Sequence, residues 1–483
     1  MARLISSIKF TSFIYVFLLC LCPLCSLKKG YAVEANEHIK KHVLTLEVNS
    51  LLASDSCDQS SKGSRSCDKY ILIDKASSLQ VLHKYGPCMQ VLNDRSHVDF
   101  LHQDQLRVDS IQARLSKNSG HGIFEEMATK LPAQSGIALG TGNYVVTVGL
   151  GTPKESFTLE FDTGSGITWT QCQPCSGSCY PQKDQKFDPT KSTSYNNVSC
   201  FSASCNLLPA SERVCSASSS TCLYRVVYGD QSHSEGFFAS ETLTISSSDV
   251  VTNFLFGCGQ NNDGLFGQAA GLLGLSPSSE SLPSQTSEKY QRQFSYCLPS
   301  SPSSTGYLNF GGKVSQTAGF TPLSPDFSFY YGIDIVGISV GGSQLPIDPS
   351  IFTTSGAIID SGTVITRLPP TAYKALKEAF DGKMSNYPKT NGDELLDTCY
   401  DFSNYTTVSF PDVSVSFKGG VGVDIDASGI LYPVDGVKMV CLAFAANEDD
   451  SEFGIFGNYQ QKTYEVIYDG ANGMLGFAAA GCS

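Results

Sequence analysis

Histidine is scarce in most of this 483-residue chain, since six of its seven histidines lie in residues 1–121 and only His233 follows. A zinc site of the HExxH type and most His-rich metal centres are therefore excluded from residues 122–483. A Ser-His-Asp triad or a Cys-His pair could use only His233. We expect no metal ion and no cofactor. Charged residues make up only 16% of the chain, but 41% of it is hydrophobic, so it can bury a core.

Basic residues are few in the larger part of the chain. Residues 1–135 carry 16 Lys and Arg against 13 Asp and Glu, whereas residues 136–483 carry 17 against 33. A surface this acidic repels phosphate groups, so we expect no nucleic-acid partner for the C-terminal part. The length exceeds the size at which one hydrophobic core stops growing, so more than one core is expected.

The N-terminus carries an apolar run at residues 10–25, with basic residues on both sides. The run is shorter than the roughly 20 residues of a membrane-spanning helix. Its layout predicts a secretory signal at residues 1–30, with a signal anchor as the alternative. We expect a secreted, extracellular protein without a membrane anchor, with the vacuole and the plastid as alternative destinations.

Residues 31–135 form a polar, basic segment that we interpret as a propeptide. A basic segment ahead of an acidic domain predicts docking by charge complementarity, and a small independent domain is the alternative. The clearest element in it is an amphipathic helix that begins near Ser96. The apolar positions at helical spacing are Val98, Leu101, Val108, Ile111 and Leu115.

From residue 142 onward, short segments alternate apolar and polar residues and are separated by Gly, Pro, Asn and Ser. The pattern predicts an all-β fold of short strands with few short helices, the clearest at residues 371–380.

Residues 172–222 hold seven cysteines and few large apolar side chains, so this stretch needs disulfides. Twelve cysteines follow residue 171, which predicts a disulfide framework in a secreted chain. Zinc bound at the CxxC of Cys172 and Cys175 is the alternative, although no second pair completes a site.

Two segments of the β-rich region repeat each other. FDTGSGITW at 161–169 matches IDSGTVITR at 359–367, and each is followed by an apolar segment between glycines, at 271–274 and 454–457. The match predicts a duplicated unit with one aspartate per copy, Asp162 and Asp360. Two carboxylates held close together share a proton, so the ionised one can activate a water while the other polarises a carbonyl. The repeat therefore predicts hydrolysis without metal, histidine or covalent intermediate. An Asx turn is the alternative reading of either tripeptide alone.

At these motifs the chain resembles the pepsin-like aspartic proteases, and among them the plant nepenthesin-type branch, over about residues 142–483. The resemblance implies a bilobal acid protease fold with pseudo-twofold symmetry. The N-terminal lobe, with a Cys-rich insertion, would span residues 142–320 and the C-terminal lobe residues 325–483. Asp162 and Asp360 would then be the catalytic pair of a monomeric endopeptidase that cleaves proteins or peptides at acid pH. It would be made as a zymogen with its own propeptide and secreted to the apoplast.

The resemblance also assigns roles around this pair. Hydroxyl and glycine positions that support the two carboxyls are Thr163, Gly164, Ser165, Ser361, Gly362 and Thr363. A flap hairpin over the substrate would carry Tyr228, Gly229 and Asp230, with Trp169 holding the tyrosine. Family pairing by order implies the disulfides Cys172–Cys175, Cys179–Cys258, Cys200–Cys222, Cys205–Cys215, Cys297–Cys482 and Cys399–Cys441. Sequons at Asn197 and Asn404 predict glycosylation.

Two positions depart from the family pattern. Gly166 stands where relatives often have Asp, which would loosen the turn beside the pair, and His233 lies near the flap tip. The rival hypothesis is a non-catalytic binding protein on the same fold, like the plant inhibitor and storage-globulin relatives, which usually lack one of the key residues. Asp162, Asp360 and Tyr228 are all present. A DNA-binding role would rest only on the basic N-terminal segment.

Overall fold

The computed structural model describes residues 42–51, 77–83, 97–118 and 144–482, apart from 229–230, 265, 302–303, 313–314 and 480. These residues all belong to one unit, His42–Ser483. The predicted signal and Ser96 lie outside the described residues, and the predicted domain boundaries stay predictions. Within the described part, no helix has the length and apolar character needed to cross a bilayer.

Short strands dominate, as the alternating pattern predicts. In Thr305–Phe310 and Val413–Phe417 every second side chain is buried, which is the period of a half-buried strand. The elements up to residue 310 are β1 (Val43–Glu47), β2 (Ser78–His83), α1 (His97–Asn118), β3 (Tyr144–Leu150), β4 (Glu155–Asp162), β5 (Trp169–Gln171), β6 (Asn196–Asn197), β7 (Arg213–Cys215), β8 (Cys222–Val227), β9 (His233–Ser246), β10 (Asp249–Asp263), β11 (Gly271–Gly274), α2 (Leu282–Gln285), α3 (Ser287–Tyr290), β12 (Gln293–Cys297) and β13 (Thr305–Phe310).

The second half of the chain also consists mainly of short strands. The helix predicted at 371–380 is present as α5, which begins at a proline whose missing N–H is not needed in a first turn. The elements are β14 (Gly319–Pro322), β15 (Tyr331–Ile333), β16 (Ile335–Val340), β17 (Ser343–Gln344), α4 (Ser350–Thr353), β18 (Ala357–Ile359), β19 (Thr366–Leu368), α5 (Pro370–Lys383), β20 (Lys389–Thr390), β21 (Cys399–Tyr400), β22 (Thr407–Pro411), β23 (Val413–Phe417), β24 (Val421–Asp424), β25 (Leu431–Asp435), β26 (Met439–Leu442), β27 (Phe444–Ala446), β28 (Gly454–Phe456), β29 (Glu465–Asp469) and β30 (Met474–Ala478).

The largest sheet has 15 strands and joins both halves of the chain. Its main path runs β14-β30-β29-β12-β13-β2-β3-β4-β11-β5-β10-β9-β8-β7. Strand β2, from the segment interpreted as a propeptide, lies between β13 and β3, with Leu82 opposite both Thr305 and Val145. Strand β1 pairs with β22 in a separate two-stranded sheet. The 31–135 segment therefore contributes strands as well as helix α1.

The repeated motifs occupy equivalent positions in two sheets. Strand β4 pairs in parallel with β11, which sets Asp162 opposite Gly274. Strand β18 pairs in parallel with β28 and ends at Ile359, one residue before Asp360. In both copies the strand that leads to the aspartate thus lies beside the apolar-Gly strand, as the duplication predicts.

Helix α1 agrees with the predicted amphipathic helix, with one correction. Leu101, Val108, Ile111 and Leu115 are buried, whereas Val98 is 45% exposed. Leu101 is therefore the first of the predicted apolar positions that is buried.

The disulfides of the Cys-rich stretch differ from the predicted pairing. The structure joins Cys172–Cys258, Cys175–Cys179, Cys200–Cys215 and Cys205–Cys222, so the predictions Cys172–Cys175, Cys179–Cys258, Cys200–Cys222 and Cys205–Cys215 are wrong. The predicted pairs Cys297–Cys482 and Cys399–Cys441 are present. The cause at Cys172 is strand register, because parallel strands β5 and β10 set Thr170 opposite Cys258 and leave Cys172 beside it.

Candidate active site

The two aspartates of the repeat are buried and held by their own loops. Asp162 is 2% exposed and Asp360 is fully buried. The Gly164 N–H donates to Asp162 Oδ1 at 2.9 Å, and the Ser165 hydroxyl donates to Oδ2. The second loop repeats this arrangement. The N–H of Gly362 donates to Asp360 Oδ1 at 3.1 Å, and Thr363 Oγ1 donates to Oδ2 at 2.5 Å.

The two loops are also bonded to each other. The Thr163 N–H donates to Ser361 Oγ at 3.0 Å, and the Ser361 N–H donates to Thr163 Oγ1 at 2.8 Å. This reciprocal pair follows the twofold relation of the repeat. It ties the loops together without using either carboxyl, so both carboxyls stay available at the interface between the loops.

Burial and neighbouring charges shift the two pKa values in opposite directions. Burial acts to raise the pKa of both carboxyls. At Asp162 the charge of Arg107 and the hydrogen bonds of its own loop outweigh burial, and the pKa lies below its ordinary value. At Asp360 burial and the negative charge of Asp162 outweigh the attraction of Arg107, and the pKa is raised. Two equivalent carboxyls are therefore distinguished by their surroundings.

A guanidinium from helix α1 lies between the two carboxyls. Arg107 Nη2 donates to Asp162 Oδ1 at 2.7 Å and to Asp360 Oδ2 at 2.9 Å. Its Nε donates to Asp360 Oδ2 at 3.0 Å and reaches Thr363 Oγ1 at 3.3 Å. Charge-assisted bonds of this kind in a buried site are strong and geometrically specific. In this state α1 covers both aspartates.

Two further charged side chains of α1 contact the surface on either side of Arg107. Asp104 accepts hydrogen bonds from the N–H groups of Val364 and Ile365, at 2.5 and 3.0 Å. Arg114 Nη2 lies 3.8 Å from Glu212 Oε1, and its guanidinium lies 4.6 Å from the centre of the Phe329 ring. Apolar contacts complete the docking, since Val108, Ile111 and Leu115 share a buried cluster with Tyr330, Ile358 and Ile455.

The predicted flap residues are only partly described. Trp169 is buried, and its Nε1 donates to the Tyr228 hydroxyl at 2.8 Å. Both rings also contact Phe266 edge-on, with centroids 4.8 Å and 5.6 Å away. Gly229 and Asp230 lie outside the described residues. His233 begins β9 and is paired in the hairpin with Val227.

Gly166 is explained by its neighbour across the site. A Cβ atom built there would lie 2.0 Å from Glu280 Oε1. A larger residue would therefore have to displace this carboxyl, and an aspartate would also bring a like charge beside it. Burial raises the pKa of Glu280. The glycine therefore leaves room for an acidic group beside the Asp162 loop.

Two further predicted site residues are the asparagines of the glycosylation sequons. Asn197 and Asn404 are both exposed. Among the described residues, no group of three or more His, Cys, Asp or Glu side chains could hold a metal ion.

Sequence reasoning did not single out Asp104, Arg107 or Arg367. A signal for the first two exists, because Asp104 and Arg107 fall within the apolar stripe of the helix, between Leu101 and Ile111. A charged residue on the buried face of an amphipathic helix requires a partner on the surface that the helix covers. Arg367 is the last residue of the second repeat segment, and no such signal marks it.

Family models match most of the β-rich region. They are described as Xylanase inhibitor N-terminal, over residues 144–312, and Xylanase inhibitor C-terminal, over residues 330–479. Among solved structures, the soybean basic 7S globulin and edgp share the fold, with TM-scores of 0.55 and 0.56 at 20% identity. Each match covers 70% of this chain and 91% of the other.

Curated relatives are more similar. An aspartyl protease family protein of Arabidopsis thaliana is 50% identical over 480 residues, which cover 97% of this chain and 98% of the relative. Aspartic proteinase nepenthesin-2 of Nepenthes gracilis is 37% identical over 396 residues, covering 78% of this chain and 83% of the relative. With the paired aspartates and the mostly β fold, these similarities identify the chain as a member of the plant pepsin-like aspartic proteases and an aspartic endopeptidase.

Proposed function

We propose that Asp162 and Asp360 carry out peptide-bond hydrolysis in an acid-acting endopeptidase made as a secreted, monomeric zymogen. One observation carries the assignment: a single nitrogen, Arg107 Nη2, lies within hydrogen-bond distance of both carboxyls. A water molecule at that position would reach both carboxyls in the same way. The site is therefore suited to activating one water between two acids.

The proposed reaction needs one carboxyl ionised and one protonated. The ionised carboxylate takes a proton from the water as the water oxygen bonds to the carbonyl carbon of the substrate. The protonated carboxyl gives its proton to the carbonyl oxygen, so no negative charge develops on that oxygen. Collapse of the tetrahedral intermediate then breaks the C–N bond, and the amine leaves with a proton returned by the pair. Close carboxyls of opposite pKa shift are suited to sharing one proton in this way.

Helix α1 supports the zymogen part of the proposal. While Arg107 bonds to both aspartates, neither water nor substrate can occupy the space between them. The pKa of Asp162 is lowered in this docked state. The charge of Arg107 contributes to this lowering, so its attraction to Asp162 is present while that carboxyl is ionised and is lost as pH falls through the lowered pKa. Acid should therefore release α1 from the two aspartates.

Disulfides support the proposed route through the secretory pathway. Six disulfides link described residues, and such bonds persist in oxidising compartments. We propose the apoplast as the destination, with proteins or peptides as substrates and the propeptide as an intramolecular partner.

A proteolysis assay tests the proposal. The full chain is incubated with an unfolded protein at about pH 3 to 5, where a shared-proton pair is expected to work, with and without pepstatin. We expect cleavage that pepstatin and Asp162→Asn abolish, while Asp348→Asn, at an exposed carboxyl before α4, leaves it intact. Cleavage that survives Asp162→Asn would refute the mechanism. Processed wild-type protein without activity would favour the binding-protein hypothesis.

A further inference from the structure

The carboxylate of Asp104 occupies a site built by the chain segment that follows Asp360. Its two oxygens accept from the N–H groups of Val364 and Ile365, at 2.5 and 3.0 Å. One oxygen also lies 3.1 Å from Arg367 Nη2, and both side chains of this ion pair are buried, with 0% and 1% exposure. Two backbone donors and a guanidinium thus converge on a single carboxylate.

The receiving side of this contact is held in place without α1. Arg367 Nη1 donates to the carbonyl oxygen of Ile365 at 2.7 Å, which orients the guanidinium from within its own segment. Arg367 lies in β19, between β28 and β27 of a five-stranded sheet. Strand pairing thus fixes the backbone at Arg367, and the Tyr459 N–H donates to the carbonyl oxygen of Val364 at 3.0 Å, so neither contact depends on the helix.

The charge of Arg367 is balanced from α1. Both carboxylates whose charge acts on it among the described residues, Asp104 and Asp109, belong to the helix. When α1 leaves, the N–H groups of Val364 and Ile365 lose their acceptor and the guanidinium loses its ion-pair partner. Buried or half-buried donors without a partner are costly, so the vacated position favours another anion.

We propose that, when α1 is absent, Val364, Ile365 and Arg367 form an anion-binding subsite that selects substrates carrying an aspartate or glutamate side chain close to the scissile bond. The proposal rests on the proposed endopeptidase function and adds a substrate class to it. Asp104 precedes Arg107 by three residues, or roughly 4.5 Å along a helix. An extended substrate advances about 3.3 Å per residue, so the acidic residue should lie one or two positions from the bond that is cleaved.

Paired fluorogenic peptides provide the test. The full chain is activated at acid pH and assayed at pH 5, where a glutamate side chain is largely ionised. The peptides carry either Glu or Gln at each position within four residues of the scissile bond. At one position no more than two residues away, we expect kcat/KM to be about tenfold higher for Glu, the size of one charge-assisted hydrogen bond.

Two variants assign the preference to Arg367. In Arg367→Gln the Glu/Gln ratio at that position should fall to about one, because the positive charge that distinguishes the two peptides is gone. In Arg367→Glu the preference should reverse, so that a Lys peptide is cleaved better than a Glu peptide. Lys418→Gln, which removes a positive charge from an exposed ion pair with Asp334, is the control and should keep the wild-type ratio.

The outcomes separate this proposal from the function on which it rests. Wild-type enzyme that cleaves the Gln peptides but has a Glu/Gln ratio near one at every position would overturn the subsite and leave the endopeptidase intact. A preference that persists in Arg367→Gln would also overturn it. Absence of all cleavage would instead refute the proposed function, and the subsite with it. If a variant does not fold, the Glu/Gln ratio of the wild-type enzyme still tests whether the subsite exists.

Discussion

The two aspartate loops have the same internal hydrogen bonds but opposite surroundings. Beside the Asp162 loop lie two acidic groups, since Gly166 faces Glu280 and Glu212 pairs with Arg114 of α1. Beside the Asp360 loop lies the buried positive charge of Arg367. The repeated backbone thus provides two equivalent carboxyls, whereas the flanking residues, which the repeat does not share, determine which charges can bind on each side.

The largest expected effect tests whether the two aspartates, which the repeat makes equivalent, act as a catalytic pair. Asp162→Asn and Asp360→Asn should each lower kcat/KM by about 10²- to 10⁴-fold, because each removes one partner of a general acid–base pair. The measurement is peptide hydrolysis at acid pH, with circular dichroism to establish that both variants fold. If one variant kept most of its activity, the two carboxyls would not act as a pair.

The next prediction compares the centre of α1 with its end. Arg107→Gln removes the buried charged bonds to both aspartates, so activity of the full chain at pH 6 to 7 should rise at least about tenfold. Arg114→Gln is the matched control. It removes an arginine that is 34% exposed and 3.8 Å from its partner, and a rise below about threefold is expected from such a pair. Equal effects would show that overall charge, rather than contact with the aspartates, docks the helix.

The third prediction concerns Glu212, one of the two acidic groups beside the Asp162 loop, and the pH dependence of stability that it causes. Burial raises its pKa to about 7, against the opposing charge of Arg114. Its favourable contribution to stability is therefore present below about pH 4.5 and is lost as pH rises through 7. Glu212→Gln should leave the free energy of unfolding at pH 4 nearly unchanged and raise it by up to about 2 kcal/mol at pH 8. Urea denaturation at both pH values measures this, and a lower stability of the variant at pH 8 would contradict it.

The smallest effect concerns the predicted flap of the N-terminal copy. Trp169→Phe removes the 2.8 Å hydrogen bond to the Tyr228 hydroxyl. We expect kcat/KM to fall about fivefold, in keeping with roughly 1 kcal/mol for one such bond. Tyr228→Phe removes the same bond, so the double variant should be no worse than either single one. Losses that multiply in the double variant would mean that the two side chains act separately.

Local patterns made much of this molecule predictable. The Asp motif contains both the carboxyl and the groups that bind it, since Gly164 and Ser165 lie two and three residues after Asp162. Strands and α5 followed from residue periodicity in the same way. The predictions that no structural contact decides, such as glycosylation at Asn404 and the domain boundaries, stay predictions.

Features that depend on distant strand register were not predictable. The Cys172–Cys258 bond joins residues 86 positions apart through the pairing of β5 and β10. The contact between Arg107 and Asp360 spans 253 positions. Periodicity indicates that a helix has a buried face, but it does not indicate which surface the face covers. Asp104 and Arg107, the charged residues inside that face, were the only local sequence signal that α1 covers a charged site.

Strand β2 has a consequence for the order in which this chain can fold. It pairs with β3, about 60 residues later, and with β13, more than 220 residues later. During synthesis, β2 and β3 can meet early, but this hairpin-like pair keeps an open edge until residues 305–310 have left the ribosome. Closing such a long loop is entropically slow. We therefore expect the middle of the largest sheet to form late, when β13 pairs with the exposed edge of β2.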